Sequence, residues 1–470
     1  MHRQIARLSL VATLAAACTL CASAWASAAT AKFDTSYQNG GTVQLPQVRG
    51  VFGQVVQSCE ISGDRLNVAG RFGPNENGMP TAWKRDQALA TTAIKIRPRQ
   101  PMTLGVADVR WHKQRIPSGQ VVLDQDFDSD GGFAYVTHST RKALRTKMKL
   151  FRILPNGRRN ANFGHNGYVS ITIPSFTSES PEGFRVIALP AGKVLLLAQN
   201  SNRLYVLRFT RRGRPDKTWG TGGSISLNGP TTEAHFPLSV TDAATALPGG
   251  GLLVPANAIP GQPTTGTVGL LKLTATGARD LKWADKGFWR TPAAGTPKGD
   301  KEPYTYVGNT LLTAVRKGGG FAVLWADTTS AEDSSESDLK LAYVSETSGV
   351  TELFNDEVGY HATGGDGGFP DSEPWALGES VNGTVVAQAE SFYGRVSNTY
   401  GVAGRFSPDA NQPITEASAN AKGFPTDAFA IDPKTTNLYF CGSLGSTSSK
   451  STVRANRDQR KSIAIRRVKL

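Results

Sequence analysis

The stretch FRILPNGRRNANFGHNGYVSI, Phe151–Ile171, shows a pattern that recurs along the chain. An apolar run ends in a turn with glycine, and an aromatic-glycine pair, Phe163-Gly164, is followed by another glycine and a second apolar run. The same order occurs in YVLRFTRRGRPDKTWGTGGSISL, Tyr205–Leu227, and in GLLKLTATGARDLKWADKGFWRT, Gly269–Thr291. Short apolar runs around such turns are typical of β-strands, and glycine supplies the positive φ that tight turns need. Each copy therefore predicts two strands joined by a structured turn.

Each copy follows two more apolar runs that flank a turn, as in Val186–Gln199, Thr245–Asn257 and Thr313–Trp325. These segments predict β-hairpins. One unit thus contains four short strands in roughly sixty residues. A lone four-stranded sheet cannot bury both faces, so neighbouring units must stack, and radial stacking of such sheets gives a β-propeller.

Weaker copies extend the repeat in both directions. Lys340–Ala362 carries Phe354 and Gly359 at the aromatic and glycine positions, and Gly401–Phe424 is a further copy. Val68–Ile94, with Gly78 in the turn and Trp83 at the aromatic position, is a degenerate early copy. The aromatic residues Trp83, Trp219 and Trp283 are expected to pack between sheets.

Segments from the two ends of the chain together supply the parts of one repeat unit. KSIAIRRVKL, Lys461–Leu470, has the form of a third strand without its following turn, and KFDTSYQNGGTVQL, Lys32–Leu45, has the form of that turn and a last strand. We therefore expect an all-β, seven-bladed β-propeller of four-stranded antiparallel blades, closed by the N-terminal strand joining the C-terminal blade. The predicted blades span residues 50–95, 117–172, 184–227, 240–291, 308–362, 373–424, and 426–470 with 32–45.

The segment LPNGRRNANFGHNGYV resembles the signature of the delta-60 repeat family, in which a strand, a turn, a Phe-Gly pair and a further glycine recur. The match is good at Phe163, Gly164 and Gly167 and again at Trp219, Gly220 and Gly223. The chain departs from the family pattern at Arg159 and Asp216, near a position where the family often has Asp, so individual blades have diverged. The resemblance implies propeller blades in a secreted bacterial protein.

Residues 1–31 have the features of a secretory signal peptide: a basic start with Arg3 and Arg7, an apolar run and small residues at Ala26, Ala28 and Ala31. No later apolar run has the length of a transmembrane helix. We expect residues 32–470 to form a single domain, a monomer in the periplasm or outside the cell. The formal net charge of the whole chain is +14, which favours attraction to anionic surfaces.

Cys59 and Cys441 are the two cysteines outside the predicted signal peptide. A pair of cysteines in an oxidising compartment is a candidate disulfide. If the ring closes as expected, these residues belong to neighbouring blades. The alternative is two buried free thiols that act as small apolar residues.

DQDFDSDGG, residues 124–132, has Asp126, Asp128 and Asp130 at the spacing of the first half of a calcium-binding loop. The glutamate that completes such a loop is missing, because Thr137 occupies its place. The stretch also aligns with ordinary hairpin turns of other units. Calcium is therefore one possible cofactor, and a plain acidic turn is the other interpretation.

Basic residues concentrate in two adjacent units. They include Arg141, Lys142, Arg158, Arg159, Arg211, Arg212 and Arg214. Because they fall at equivalent places in neighbouring blades, they could line one rim and bind polyanions without reading sequence. A solvated face that serves solubility is the alternative. No module for sequence-specific nucleic-acid recognition is visible.

Catalytic motifs are scarce. The histidines are scattered, and no G-x-S-x-G nucleophile motif is present. We therefore expect an exported, non-catalytic binding or scaffold propeller whose ligand is a protein or an anionic polymer such as a polysaccharide. The alternative is a carbohydrate-active enzyme, a lyase or hydrolase, with its site over the central channel.

Overall fold

The computed structural model describes twenty-one segments of the chain. These are residues 32–33, 42–46, 54–72, 88–96, 109–117, 119–139, 147–173, 183–200, 203–228, 244–257, 268–291, 304–315, 319–331, 334–355, 371–379, 385–393, 396–404, 417–418, 428–435, 437–444 and 462–469. Within these segments there is no α-helix, and the one helical turn is the 3₁₀ turn Pro190–Gly192. In this part of the chain no helix is long and apolar enough to cross a membrane. The predicted signal peptide, residues 1–31, lies outside the described residues.

The described strands fall into seven antiparallel sheets, numbered here in chain order. Sheet 1 contains β3 (Gln54–Ser62), β4 (Arg65–Phe72), β5 (Ala88–Lys95) and β6 (His112–Arg115). Sheet 2 contains β7 (Gln120–Phe127), β8 (Phe133–Ser139), β9 (Lys147–Ile153) and β10 (Tyr168–Thr172). Sheet 3 contains β11 (Gly183–Ala188), β12 (Val194–Asn200), β13 (Arg203–Phe209) and β14 (Ser224–Asn228). Sheet 4 contains β15 (Thr245–Ala246), β16 (Leu252–Asn257), β17 (Val268–Leu273) and β18 (Phe288–Arg290).

The remaining sheets follow the same plan. Sheet 5 contains β19 (Tyr304–Val315), β20 (Phe321–Ala331), β21 (Ser334–Val344) and β22 (Thr351–Asn355). Sheet 6 contains β23 (Asp371–Glu379), β24 (Val385–Tyr393), β25 (Val396–Gly404) and β26 (Ala417–Ser418). Sheet 7 contains β27 (Ala428–Ile431), β28 (Asn437–Leu444) and β29 (Ser462–Lys469), together with β1 (Lys32–Phe33) and β2 (Thr42–Gln44).

Sheet 7 is built from both ends of the chain. Lys32 of β1 pairs with Lys469 of β29, and Val43 of β2 pairs with Ile465 of the same strand. Because β1 and β2 pair with successive parts of one edge of β29, together they occupy the place of a fourth strand. The other six sheets are simple meanders in which each strand pairs with its neighbours in sequence.

The first strands of neighbouring sheets converge. β27 packs against β3, β3 against β7, β7 against β11, β19 against β23, and β23 against β27. Strands that meet in this way are the innermost strands of radially arranged sheets. The chain is therefore an all-β propeller of four-stranded antiparallel blades.

Hydrophobic clusters fill the joints between sheets. One cluster joins sheets 7 and 1 around Val68 and Tyr439, and the next joins sheets 1 and 2 around Leu89 and Tyr135. Further clusters join sheets 2 and 3, sheets 3 and 4, and sheets 4 and 5. Sheets 1 to 4 each take part in two of these clusters and so bury side chains on both faces, which accounts for continuous apolar runs such as Val194–Ala198 in β12. Each fully buried large apolar side chain contributes about 1.5–3 kcal/mol.

Two details of the predicted repeat are wrong. Sheet 1 extends to Arg115, beyond the predicted boundary at residue 95, because Val68–Ile94 contains its second and third strands. Gly78 and Trp83 therefore fall between those two strands, outside the described residues, and not in a connection to a fourth strand. A strand-glycine-strand pattern does not distinguish these two connections. In sheet 5, Phe354 lies within β22 and pairs with Ala342, so it is not a turn residue.

Candidate functional site: the tail face

In three sheets, the long connection from the third strand to the fourth lies entirely within the described residues. We call these connections tails: residues 154–167 in sheet 2, 210–223 in sheet 3 and 274–287 in sheet 4. The strands of a meander alternate in direction, so the tails and the turns between first and second strands lie at the same end of each sheet. We call this end the tail face.

An Asn or Asp organises each tail. Its backbone N–H donates to a third-strand carbonyl, and its side-chain Oδ1 accepts the N–H two residues later, which is an Asx turn. The backbone bonds are Asn160 to Arg152 at 2.9 Å, Asp216 to Arg208 at 2.8 Å and Asp280 to Lys272 at 2.9 Å. The Oδ1 atoms accept from Asn162, Thr218 and Lys282 at 3.2, 3.2 and 3.3 Å.

The aromatic residue of each tail is buried between sheets: Phe163, Trp219 and Trp283 have no exposed surface. The residue after it donates its N–H to the next connection around the ring. These bonds are Gly164 to Arg212 O at 2.8 Å, Gly220 to Thr276 O at 2.7 Å and Ala284 to Ser348 O at 2.9 Å. The sequence pattern therefore encodes contacts between sheets as well as turns within them.

The turn glycines are required by these contacts. A Cβ on Gly213 would lie 2.5 Å from the backbone N of Gly164, and one on Gly349 would lie 2.6 Å from the backbone N of Ala284. Gly213 also has a φ of 72°, which disfavours any side chain. Glycine thus allows the backbones of neighbouring sheets to approach.

In sheets 3 and 4, a cation on the third strand forms an ion pair with the tail carboxylate. Arg208 Nε lies 2.9 Å from Asp216 Oδ2, and the guanidinium lies 4.6 Å from the centroid of the Trp219 ring. Burial opposes ionisation of Asp216, but hydrogen bonds from Thr218 and Lys193 and the charge of Arg208 hold its pKa below the usual range. Lys272 Nζ lies 3.3 Å from Asp280 Oδ2 in the next sheet.

Two of the three carboxylates of the predicted calcium loop, those of Asp126 and Asp128, bind different partners. Asp128 Oδ1 accepts N–H groups of Asp130 at 3.0 Å and Gly132 at 2.6 Å, while its Oδ2 is paired with Arg152. Asp126 Oδ2 accepts the N–H of Ala188 in sheet 3 at 2.8 Å. In the described segments, no three His, Cys, Asp or Glu side chains are grouped as metal ligands. The geometry therefore lends no support to calcium here.

Exposed cations dominate the tail face of sheets 2 to 4. The three tails carry eight exposed basic residues and one exposed acidic residue, Asp285, which lies 3.7 Å from Arg290. The basic residues are Arg158, Arg159, Arg211, Arg212, Arg214, Lys217, Lys282 and Lys286. The structure thus places five of the sequence-predicted arginines on one face, while Arg141 and Lys142 lie outside the described residues.

A cleft of 760 Å³ opens on the tail face between sheets 2 and 3. Its lining includes Asp128, Asp130, Arg152, Asn160, Arg211 and Arg212. The basic rim was visible in the sequence, but the cleft was not. It depends on how the turn Pro190–Gly192 of sheet 3 lies against the tail of sheet 2.

A second group of ionisable residues lies on the innermost strands: Glu60 on β3, Asp124 and Asp126 on β7, and Arg185 on β11. Asp124 and Asp126 accept N–H groups from Val186 and Ala188 of β11. Burial, with the charges of Asp126 and Asp128, raises the pKa of Glu60 to about 8, against the opposing effect of Arg185. Burial likewise raises the pKa of Asp126 to about 7. Nothing in the sequence around Glu60 marks it as a site residue, because β3 is a strand of ordinary composition.

Cys59 and Cys441 form a disulfide between β3 of sheet 1 and β28 of sheet 7, with their Cα atoms 6.4 Å apart. The bond lies within the hydrophobic cluster that joins these two sheets. It therefore crosses the joint between sheet 1 and sheet 7, the sheet that both ends of the chain build.

No protein-family model matches this chain, and no curated protein matches it either. Among solved structures, it is similar to one of two prolyl endopeptidases at 10% identity and a TM-score of 0.45, with 84% of this chain and 46% of that chain covered. This chain therefore spans about half the length of that structure. The polysaccharide lyase Uly1 is similar at 8% identity and a TM-score of 0.45, with 93% and 95% covered. The β-propeller domain of the Trilobed protease from Pyrococcus furiosus is similar at 7% identity and a TM-score of 0.40, with 88% and 94% covered.

Proposed function

We propose that this chain is an exported, closed, seven-bladed propeller that binds anionic polymers on its tail face without catalysis. The seven sheets and the sharing of sheet 7 by both chain ends support the ring. The observation that carries the binding function is the excess of exposed cations on three adjacent tails. Arginine side chains form bidentate hydrogen bonds with carboxylate, sulfate and phosphate groups, so an array of them suits a polymer of repeated charges.

The side chains that the tails expose favour an anionic polysaccharide over single-stranded nucleic acid as the ligand. Binding of unpaired bases relies on exposed aromatic side chains for stacking. The aromatic residues of the tails, Phe163, Trp219 and Trp283, are instead fully buried between sheets. The exposed surface of the tails offers charge and backbone groups, which recognise acidic groups along a chain.

The test is retention on a heparin column, followed by the salt dependence of heparin binding. In the variant R158S/R214S, equivalent positions of two adjacent tails lose their charges. The control K147S/R203S removes two exposed charges from the opposite ends of the same two sheets. We expect the tail variant to elute at lower salt, with the slope of log K against log salt reduced by about 2, and an unchanged Tm. Equal loss in both variants would show that only net charge matters and would overturn the proposal. Tighter binding of duplex DNA than of heparin would overturn the polysaccharide assignment.

A second candidate function is a carbohydrate-active enzyme with its site at the central channel. The observation that favours it is the pair Glu60 and Asp126 on innermost strands, whose raised pKa values keep a carboxyl protonated near neutral pH. A protonated carboxyl can act as a general acid in glycoside cleavage. Release of reducing ends from anionic glycans by the wild type and not by E60Q would support this function. Equal release by both proteins, or none from any glycan, would count against it.

A further inference from the structure

We infer that the cleft between sheets 2 and 3 is a subsite for one acidic sugar of the polymer, with Arg152 as the residue that anchors its carboxylate or sulfate group. This inference rests on the proposed function of the tail face. It starts from a difference between equivalent cations in neighbouring sheets.

Each of the three guanidinium nitrogens of Arg208 in sheet 3 lies within 3.2 Å of an oxygen atom of the protein. Its guanidinium pairs with Asp216, and its Nη atoms donate to Thr218 at 2.8 Å and to the carbonyl of Ala275 at 3.2 Å. The corresponding cation of sheet 4, Lys272, pairs with Asp280 and donates to the carbonyl of Glu346 at 2.7 Å. In both sheets the tail carboxylate is the partner of the cation.

Arg152 of sheet 2 occupies the same position but lacks that partner. The tail residue equivalent to Asp216 is Asn160, which has no charge, and Arg152 pairs instead with Asp128 of the preceding turn. Arg152 is only 6% exposed, and its Nη1 has no hydrogen-bond acceptor in the described part of the chain. A buried donor that lacks an acceptor and belongs to a residue lining a cleft indicates a place for an external acceptor.

The cleft beside Arg152 has the size and charge for such a ligand. Its 760 Å³ lies within the range of small-molecule sites, which is roughly 300–1,000 Å³. Asp128 is neutralised by Arg152, and Arg211 and Arg212 add two exposed cations to the wall against one exposed carboxylate, Asp130. An acidic group that enters the cleft would supply the acceptor for Arg152 and meet Arg211 and Arg212 at the rim.

The test exploits the same comparison, because N160D gives sheet 2 the carboxylate that sheet 3 has in Asp216. This carboxylate would occupy Arg152 from within the protein. N156D adds the same charge to the same tail at an exposed position that does not line the cleft, so it is the control. Sodium glucuronate and inorganic sulfate are the probes, and binding is measured by calorimetry at constant ionic strength.

We expect N160D to weaken glucuronate binding at least ten-fold, while N156D stays within about two-fold of the wild type. Loss of sulfate binding in the same variant would show that the acidic group is the recognised feature, and binding of glucuronate alone would assign the site to the sugar carboxylate. Equal affinities of N160D and N156D, with both retained on heparin, would overturn the subsite and leave the tail face intact. Loss of the heparin difference between R158S/R214S and K147S/R203S would instead remove the function on which the subsite rests.

Discussion

The joints between sheets 2, 3, 4 and 5 differ from the seam between sheets 7 and 1. Between sheets 2 and 3, sheets 3 and 4, and sheets 4 and 5, the same local structure recurs. It consists of a buried aromatic residue, a backbone hydrogen bond to the next sheet and a turn glycine at the contact. At the seam, a hydrophobic cluster is crossed by the disulfide Cys59–Cys441, and Trp111 Nε1 donates to the carbonyl of Pro46 at 2.7 Å. The difference shows that a continuous chain can hold neighbouring sheets by repetition. At the seam, the disulfide links β3 and β28, two strands from opposite ends of the chain, and so holds sheets 1 and 7 together.

The largest expected effect is at the seam. Replacing both cysteines, C59A/C441A, should lower the free energy of unfolding by about 5 kcal/mol, because the bond closes a loop of 382 residues and restricts the unfolded chain. The measurement is chemical denaturation of both proteins, together with mass spectrometry of a non-reduced digest. Two separate cysteine peptides in the wild-type digest, or equal stability of the two proteins, would contradict this prediction.

A buried ion pair of a tail joint should have the next largest effect. D216N leaves the guanidinium of Arg208 buried without its counter-charge, which should cost about 3 kcal/mol at pH 7. Because the pKa of Asp216 is lowered in the folded protein, its contribution is complete above the unfolded pKa of about 4 and is lost as the pH falls below it. The difference in Tm between D216N and wild type should therefore shrink below about pH 4. D285N, at an exposed and long ion pair, is the control and should leave the Tm unchanged; a loss as large as that of D216N would contradict this account.

The smallest expected effect is a difference in stability between two glycine substitutions. It separates the cost of the backbone conformation from the cost of the contact between sheets. Gly213 and Gly222 both have a positive φ, 72° and 63°, but a Cβ on Gly222 would meet nothing within 4 Å. G222A should cost about 1 kcal/mol through backbone strain alone. G213A should cost about 2 kcal/mol more, because its Cβ would press on the backbone of Gly164 across the joint. The measurement is again denaturant unfolding, and equal costs of the two substitutions would show that the glycines serve turn geometry only.

Local patterns predicted much of the fold. The apolar runs, turn glycines and aromatic positions of Phe151–Ile171 predict the third strand, tail and fourth strand of sheet 2, and the complementary chain ends predict the shared sheet 7. The prediction was wrong in sheet 1, because a strand rich in Ala and Thr, Ala88–Lys95, follows a glycine-containing segment and resembles a fourth strand. It was also wrong at Phe354, because sheet 5 connects its last two strands by the short turn that contains Gly349 and lacks a tail.

The candidate site was only partly predictable. Arg158, Arg211 and their neighbours are conspicuous as a basic run, and equivalent positions in a repeat must fall on the same face. By contrast, Asp126 and Asp128 suggest a calcium loop when only their spacing is known, and each turns to a different partner in the folded chain. Their partners, Ala188 and Arg152, lie too far along the sequence for any local pattern to reveal.

By itself, the sequence determined the all-β class, the repeating unit and the sharing of one sheet by the two ends, because strands and tight turns follow from side-chain periodicity and glycine positions within a few residues. Only the tertiary structure decided that Arg208 pairs with its tail carboxylate while Arg152 pairs with Asp128 beside a cleft. It also decided how the turn Pro190–Gly192 shapes that cleft, and that Glu60 lies near Asp126 and Arg185 on the innermost strands. These features depend on distances between residues of different sheets. Such distances are set by the close approach of packed backbones, and nothing in a single strand or turn records them.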